Sequence, residues 1–280
     1  MTKVRIVTDS TADLDEGEIE RLGITVVPLN VHWNGDTYQD KVELSVDEFY
    51  RRLREEKGTP RTSQPSAGQF ESAYRGLLAD AEGILSIHIS SKLSGTINSA
   101  QLAAQQVGTG RIVVIDSLFT AFALGFLVER AARLAQEGAS LAECAALVQG
   151  LIPRIRLVAA VDTLEFLRRG GRIGRAQAFA GNLLSIKLIF SIQEGEVVPL
   201  DRVRTRAGAI KRTAEAVRAW GAVEELAVLY GDDPAPAEEL VGQLRAAQHG
   251  LTARRGRIGP VLGTHTGPGV FGVCAVLPPE

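Results

Sequence analysis

Apolar and polar residues alternate in short blocks whose period switches between that of strands and that of helices. Val4 to Val7 reads as a buried strand, with Asp9-Ser10-Thr11-Ala12-Asp13 as the polar loop at its end. A short helix follows and Gly23 ends it. Ile24 to Val31 is another strand pattern, and Asn34-Gly35 is a hairpin-type turn. Ser45 and Glu48 have capping-box spacing ahead of Phe49, Tyr50 and Leu53, and Gly58-Thr59-Pro60 breaks that helix. Phe70, Tyr74, Leu77 and Leu78 share one helical face. Ile84 to Ile89 reads as a strand, Ile97 to Val107 as a helix, and Arg111 to Ser117 as a strand ending in Asp-Ser. A long helix is predicted from about Phe119 to Gln136, and Ser140 with Glu143 repeats the capping-box spacing. This alternation predicts an α/β domain over residues 1–160, three layers with a mostly parallel sheet covered on both faces.

The texture changes near residue 160. Leu157 to Val161 is a strand. Leu164 to Arg169 is a short helix that Gly170-Gly171 ends. Ala176 to Ile186 reads as an apolar helix, with Phe179, Leu183 and Ile186 near one face. Leu188 to Ile192 and Val197 to Leu200 flank Glu194-Gly195-Glu196, a hairpin pattern. A helix from about Arg206 to Trp220 leads to the strand Leu226 to Tyr230. Another helix is predicted from about Ala237 to Gln248. The end carries the Gly-rich turns Gly263 to Gly269 and an apolar strand pattern. Residues 161–280 therefore read as an α+β domain with a mixed or antiparallel sheet.

Composition narrows the functional classes. The chain is 45% hydrophobic and 23% charged, enough to bury a full core. Its formal net charge of -2 gives no sign of nucleic acid or an anionic membrane as partner. Cys144 and Cys274 lack metal spacing and read as free thiols of a reducing cytosol. The first residues run straight into a strand pattern with no apolar leader, and no stretch approaches a membrane span. The expectation is a soluble cytoplasmic protein without stable membrane insertion.

Chemistry concentrates in two polar loops, Arg61-Thr62-Ser63-Gln64-Pro65-Ser66 and Ser90-Ser91-Lys92-Leu93-Ser94-Gly95-Thr96. Each is expected to open a helix, with Pro65 in a first-turn position. Small hydroxyls and unpaired helix N–H groups suit an anion. Capping alone accounts for many such loops. Asp9 carries the same ambiguity, between orienting a site hydroxyl and capping a turn. His32, His88, His249 and His265 stand apart from any metal-ligand cluster, so neither a metal nor a cofactor is expected. No nucleophile elbow or phosphate loop occurs, so no catalytic residue is assigned. Arg172, after Gly170-Gly171, and His265 are the remaining groups able to meet an anion. Hydroxyls, N–H groups, one Arg and one His suit a carboxylate or a phosphate equally.

Taken together, six motifs resemble the DegV family of fatty-acid-binding proteins. They are Val-Thr-Asp-Ser-Thr-Ala-Asp at 7–13, Thr-Ser-Gln-Pro-Ser at 62–66, Ile-Ser-Ser-Lys-Leu-Ser-Gly-Thr at 89–96, Ile-Asp-Ser at 115–117, Leu-Arg-Arg-Gly-Gly-Arg-Ile at 167–173 and Gly-Thr-His-Thr-Gly-Pro-Gly at 263–269. They follow in order along nearly the whole chain. One departure is Ile186-Lys187-Leu188, where the family pattern has Ile-Lys-Pro. The resemblance implies a long-chain fatty acid, such as palmitate or oleate, held between two domains. Residues 1–160 would carry the head-group loops and 161–280 the acyl tail. It carries the carboxylate contacts over to Thr62 and Ser94, with Ser63, Gly95, Arg172 and His265 as head-group neighbours. It also implies a non-catalytic carrier that presents the carboxylate to a fatty acid kinase subunit, which forms an acyl phosphate for phospholipid synthesis. The competing expectation is an enzyme acting on a phosphorylated metabolite at the same anion site.

Overall fold

The computed structural model describes residues 4–182, 186–247 and 252–279 of the 280-residue chain. In chain order the first elements are β1 (Val4–Asp9), α1 (Glu16–Leu22), β2 (Thr25–Val27), β3 (Asn30–Trp33), β4 (Asp36–Gln39), α2 (Val46–Glu55), β5 (Arg61–Ser63) and α3 (Ala67–Leu77). Then come β6 (Gly83–His88), α4 (Thr96–Val107), β7 (Ile112–Asp116), α5 (Ala121–Gln136), α6 (Leu141–Leu151), β8 (Ile155–Val161) and α7 (Glu165–Arg169). The chain continues through β9 (Lys187–Gln193), β10 (Glu196–Val203), α8 (Arg206–Arg218), β11 (Glu225–Tyr230), α9 (Ala235–Ala247), β12 (Arg254–Arg257), α10 (Pro260–Thr266) and β13 (Phe271–Val276).

Four strands form an all-parallel sheet in the order β2-β1-β6-β7. Six form a mixed sheet in the order β10-β9-β8-β13-β11-β12, in which β11 and β12 are parallel and the other neighbours antiparallel. This is the parallel-then-mixed α/β architecture that the hydrophobic pattern predicts. A small antiparallel sheet, β4-β3-β5, completes the strand set among the described residues.

Side-chain alternation along the strands explains the layering. Val7 and Ile84 face Phe70, Tyr74 and Ala100 of α3 and α4. Ile6, Leu85 and Ile87 face the other way, into a core shared with α5 and α6. In the mixed sheet Leu157, Ala159, Phe190 and Leu229 join that same core, while Val158, Ala160, Ile189 and Val228 pack with α8 and α9. Helix α5 therefore lies between the two sheets and is buried continuously from Ala121 to Glu129, as befits a helix apolar on all sides. Gly125 permits its close approach, since a Cβ there would stand 2.9 Å from the Ala12 carbonyl oxygen. The buried charge on α5, Glu129, is met by Arg254 of β12, which donates hydrogen bonds of 2.6 and 2.7 Å and stacks over Phe122.

Several local expectations need correction. Ile24 to Val31 is two strands in different sheets, broken at Pro28, and the Leu29 N–H bonds to the Ser10 hydroxyl instead of a neighbouring strand. The first polar loop begins as a strand, β5, and Pro65 precedes the cap of α3 because Ser66 and Gln69 form the capping box. Ser45 caps α2, but Glu48 turns to Arg51 and Arg52, so the box is half made. The stretch read as a helix from Ala176 is a 3-10 helix spanning Gly174–Asn182, and Leu183 lies outside the described residues, as do Gln248 and His249. Leu188, at the departure from the family pattern, starts within β9 and is fully buried. The Asn34-Gly35 and Glu194-Gly195 turns are as expected, with positive φ at all four residues.

Asp40, 1% exposed, sits beside Lys41 and Asp13 where β4 leads toward α2. Burial is the dominant influence and pushes its pKa up to about 6. Between about pH 4 and 6 the folded protein keeps a proton that the unfolded chain has released, so stability falls as pH rises through that window. Asp40→Asn is expected to stabilise the protein at pH 8 by up to about 3 kcal/mol. Denaturant unfolding at a series of pH values checks this; the advantage should fade toward pH 4.

Candidate functional site

The two polar loops converge on one cavity. Thr62 and Ser63 lie on β5, held in antiparallel register opposite Val31 and Asn30. Ser94 lies just before α4, whose cap position is Gly95. Gln64 packs over Gly95, where a Cβ would come 2.9 Å from its amide nitrogen. Thr62, Ser63, Gln64 and Ser94 all line the cavity. The Ser94 hydroxyl accepts from the Thr96 N–H and shares a hydrogen bond with the Thr96 hydroxyl at 2.9 Å. The Ser63 hydroxyl is engaged by His32 Nε2 at 2.9 Å.

A buried polar chain holds the second loop in place. Asp9 accepts hydrogen bonds from the Ile89 N–H and pairs with His88 Nδ1, both at 3.0 Å. His88 Nε2 meets the Ser86 hydroxyl at 2.7 Å, and Ser86 meets the Tyr74 hydroxyl at 2.8 Å. Asp-His-Ser connectivity of this kind also occurs in hydrolases. Here Asp9, His88, Ser86 and Tyr74 are all 0% exposed, so the chain serves as a brace. Asp9 also accepts from the Thr11 N–H, so it caps its turn as well. Asp116 supports the loop from the other side by accepting from the Ser91 N–H. The Asp9 and Asp116 motifs thus position the site from behind it.

Arg172 and His265 complete the polar end. Arg172 lines the cavity while donating to the carbonyls of Leu93, at 3.0 Å, and Gly170, at 2.6 Å. His265 is not in a turn, as its glycine-rich setting suggests, but near the end of α10, a helix started by Gly259 and Pro260. Its Nε2 shares a 2.7 Å hydrogen bond with the Thr62 hydroxyl. Its Nδ1 is buried without a partner against Gly170, where any side chain would collide with the ring. Placing the ring proton on Nε2 leaves only a lone pair facing Gly170. In that tautomer Thr62 accepts from His265 and is free to donate its own proton into the cavity.

Away from this end the cavity is apolar. It is bounded by Leu157, Ala159, Phe190, Ile192 and Leu229 of the mixed sheet and by Val261 of α10. Gly272 and Ala159 are cross-strand partners on this floor, packed so closely that a Cβ on Gly272 would come 2.7 Å from the Val158 carbonyl oxygen. A separate outer groove, lined by Arg61, Phe166 and Arg169, shares Thr62, Arg172 and His265 with the cavity. These three residues at the polar end therefore border both spaces. Among the described residues no group of His, Cys, Asp or Glu is arranged to hold a metal ion. No helix among them is long and apolar enough to cross a membrane.

Thr62, Ser63, Ser94, Arg172 and His265 all meet at the cavity, with Gly95 behind Gln64. Gln64, Thr120 and the apolar lining were not legible as site residues. The lining residues look like ordinary strand interior, and only pairing across β8, β9, β11 and β13 shows that they surround a space.

Fold and cavity define a mixed α/β protein built around an apolar cavity with a polar end. The chain belongs to the DegV family, a family of uncharacterised proteins whose model matches residues 3–277. It is 41% identical over 277 residues to a DegV domain-containing protein of Deinococcus radiodurans, covering 96% of this chain and 97% of that one. Among solved structures it is similar to a DegV family protein from Thermus thermophilus described as binding fatty acid, with a TM-score of 0.90, 39% identity and coverage of 99% and 100%. It is also similar to DegV of Bacillus subtilis, described as a fatty acid binding protein, with a TM-score of 0.89, 32% identity and the same coverage.

Burial, aided by the nearby Arg172 charge, lowers the His265 pKa to about 4. The ring is therefore neutral near pH 7. The unfolded chain binds the proton first, so this group costs stability as pH falls from about 6.5 to 4. An NMR titration of the ring protons should give a midpoint near pH 4 in the empty protein, and a higher one when an anion lies beside the ring.

Proposed function

We propose that this protein binds a long-chain fatty acid, with the carboxylate at Thr62 and Ser94 and the tail against the mixed sheet. The carrying observation is the cavity itself: apolar over its length, with neutral hydroxyl donors and one guanidinium at one end. A carboxylate buried without partners costs several kcal/mol, so a head group needs these donors. Tail burial contributes about 0.8 kcal/mol per methylene, or roughly 12 kcal/mol gross for about fifteen. Association and chain ordering offset much of that gain. Affinity then comes from the tail, and orientation from the polar end.

On this reading the protein is a cytoplasmic carrier that does no chemistry itself. It presents the carboxylate to a fatty acid kinase subunit, which forms an acyl phosphate for lipid synthesis. The outer groove supports this step, because Arg61 and Arg169 line it beside Thr62, Arg172 and His265, which it shares with the cavity. Phosphate groups approaching from that side would meet guanidinium groups.

Mass spectrometry of lipid extracted under denaturing conditions tests the proposal. The expected result is a stoichiometric long-chain fatty acid such as palmitate or oleate. A protein that carries none, and takes up neither when they are added, would overturn it. Thr62→Ala combined with Ser94→Ala should weaken binding at least about a hundredfold, since hydrogen bonds to a charged group contribute about 1.5–3 kcal/mol each.

A further inference from the structure

Thr62 and His265 at the polar end trace back to one buried ionic cluster. Lys41 pairs with Asp13 and donates a 3.0 Å hydrogen bond to the Ser10 carbonyl. Asp13, 5% exposed, accepts from the Gly259 N–H at 3.1 Å. Gly259 is the cap of α10, the helix that carries His265. Asp40 lies against the same lysine. The Ser10 hydroxyl accepts from the Leu29 N–H at 3.1 Å, just before β3, and β3 pairs with β5, which carries Thr62. One knot thus grips the strand pair behind Thr62 and the start of the helix behind His265. The fit is tight, because a Cβ on Gly259 would run into the Lys41 side chain and come 2.8 Å from Asp13 Oδ1. Both Asp13 and Lys41 adopt left-handed backbone conformations, at φ 51° and 62°. Such strain persists where the surroundings over-determine it.

We propose that Asp13 and Lys41 are positioning residues of the head-group site, tying β3 and the start of α10 to one point and thereby setting the Thr62–His265 hydrogen bond. The inference rests on the fatty-acid reading for its meaning, but its geometry stands apart from the ligand's identity. Removing Lys41 alone would strand buried carboxylates and risk unfolding. The informative change is therefore Asp13→Asn/Asp40→Asn/Lys41→Met, which removes the lysine together with both carboxylates that face it. Gly259→Ala is a second variant, which wedges the knot without changing charge. The control is Glu129→Gln/Arg254→Met, another buried pair, neither member of which lines the cavity.

The experiment follows amide hydrogen exchange at Gly263 and Gly267, whose N–H groups close turns of α10, together with the His265 ring signal and palmitate dissociation. In the knot variants exchange at these amides and palmitate release should each rise about tenfold or more, with the His265 signal shifted. The control should lower the melting temperature yet leave all three readings at their wild-type values. Wild-type exchange and an unshifted His265 signal in folded knot variants would overturn the inference. Failure of the wild-type protein to take up palmitate would count against the fatty-acid reading alone, since exchange and the ring signal still decide this one.

Discussion

A helical stretch that is apolar on every side must be covered on every side, and Ala121 to Val128 of α5 imposes that demand here. The parallel sheet covers one of its faces and the mixed sheet another. The two halves of the chain therefore meet through a shared apolar core. The cavity is the part of that shared interior left unfilled near the start of α5, where Thr120 and Ala121 join its lining. Rigid walls follow from this arrangement, because every wall segment also packs into a core that cannot move without opening voids.

Polar side chains then solve a problem that the hydrophobic layers leave open. A chamber needs a defined end, and burying donors there is costly unless each is braced. Asp9 and Asp116 brace the Ser94 loop through main-chain N–H groups. Arg172 is braced by two carbonyls, and Thr62 by His265. Burial keeps the His265 ring neutral near pH 7. A wall of neutral hydroxyls and one guanidinium, each backed by a fixed partner, can orient an anion.

Much of the architecture was legible because strand and helix periods are written plainly in Val4 to Val7, Ile84 to Ile89, Phe119 to Gln136 and Leu226 to Tyr230. Capping chemistry was equally clear at Ser140 and Glu143. The misses have physical causes. The strand Arg254–Arg257 is charged because it lies at a sheet edge, where side chains reach Glu129, Glu238 and Asp47. Helix α10 hides behind glycines because Gly259 and Gly263 must lie close to Lys41 and Tyr50. The loops at Thr62 and Ser94 were visible as hydroxyl-rich helix entries, but their convergence was not, since it depends on β3 pairing with β5 and on Gln64 lying over Gly95.

The place of β13 in the mixed sheet has a consequence for how the chain can assemble. Phe271–Val276 is the last strand in sequence, yet it lies between β8 and β11, near the middle of the sheet. During synthesis β8, β9 and β10 can pair with one another as they emerge, but they cannot join β11 and β12 until β13 arrives. Until then the side of α5 that this sheet covers lacks part of its partner. Between the synthesis of α5, which ends at Gln136, and that of β13, which starts at Phe271, an apolar helix face is therefore only partly covered, the kind of surface that recruits chaperones or aggregates.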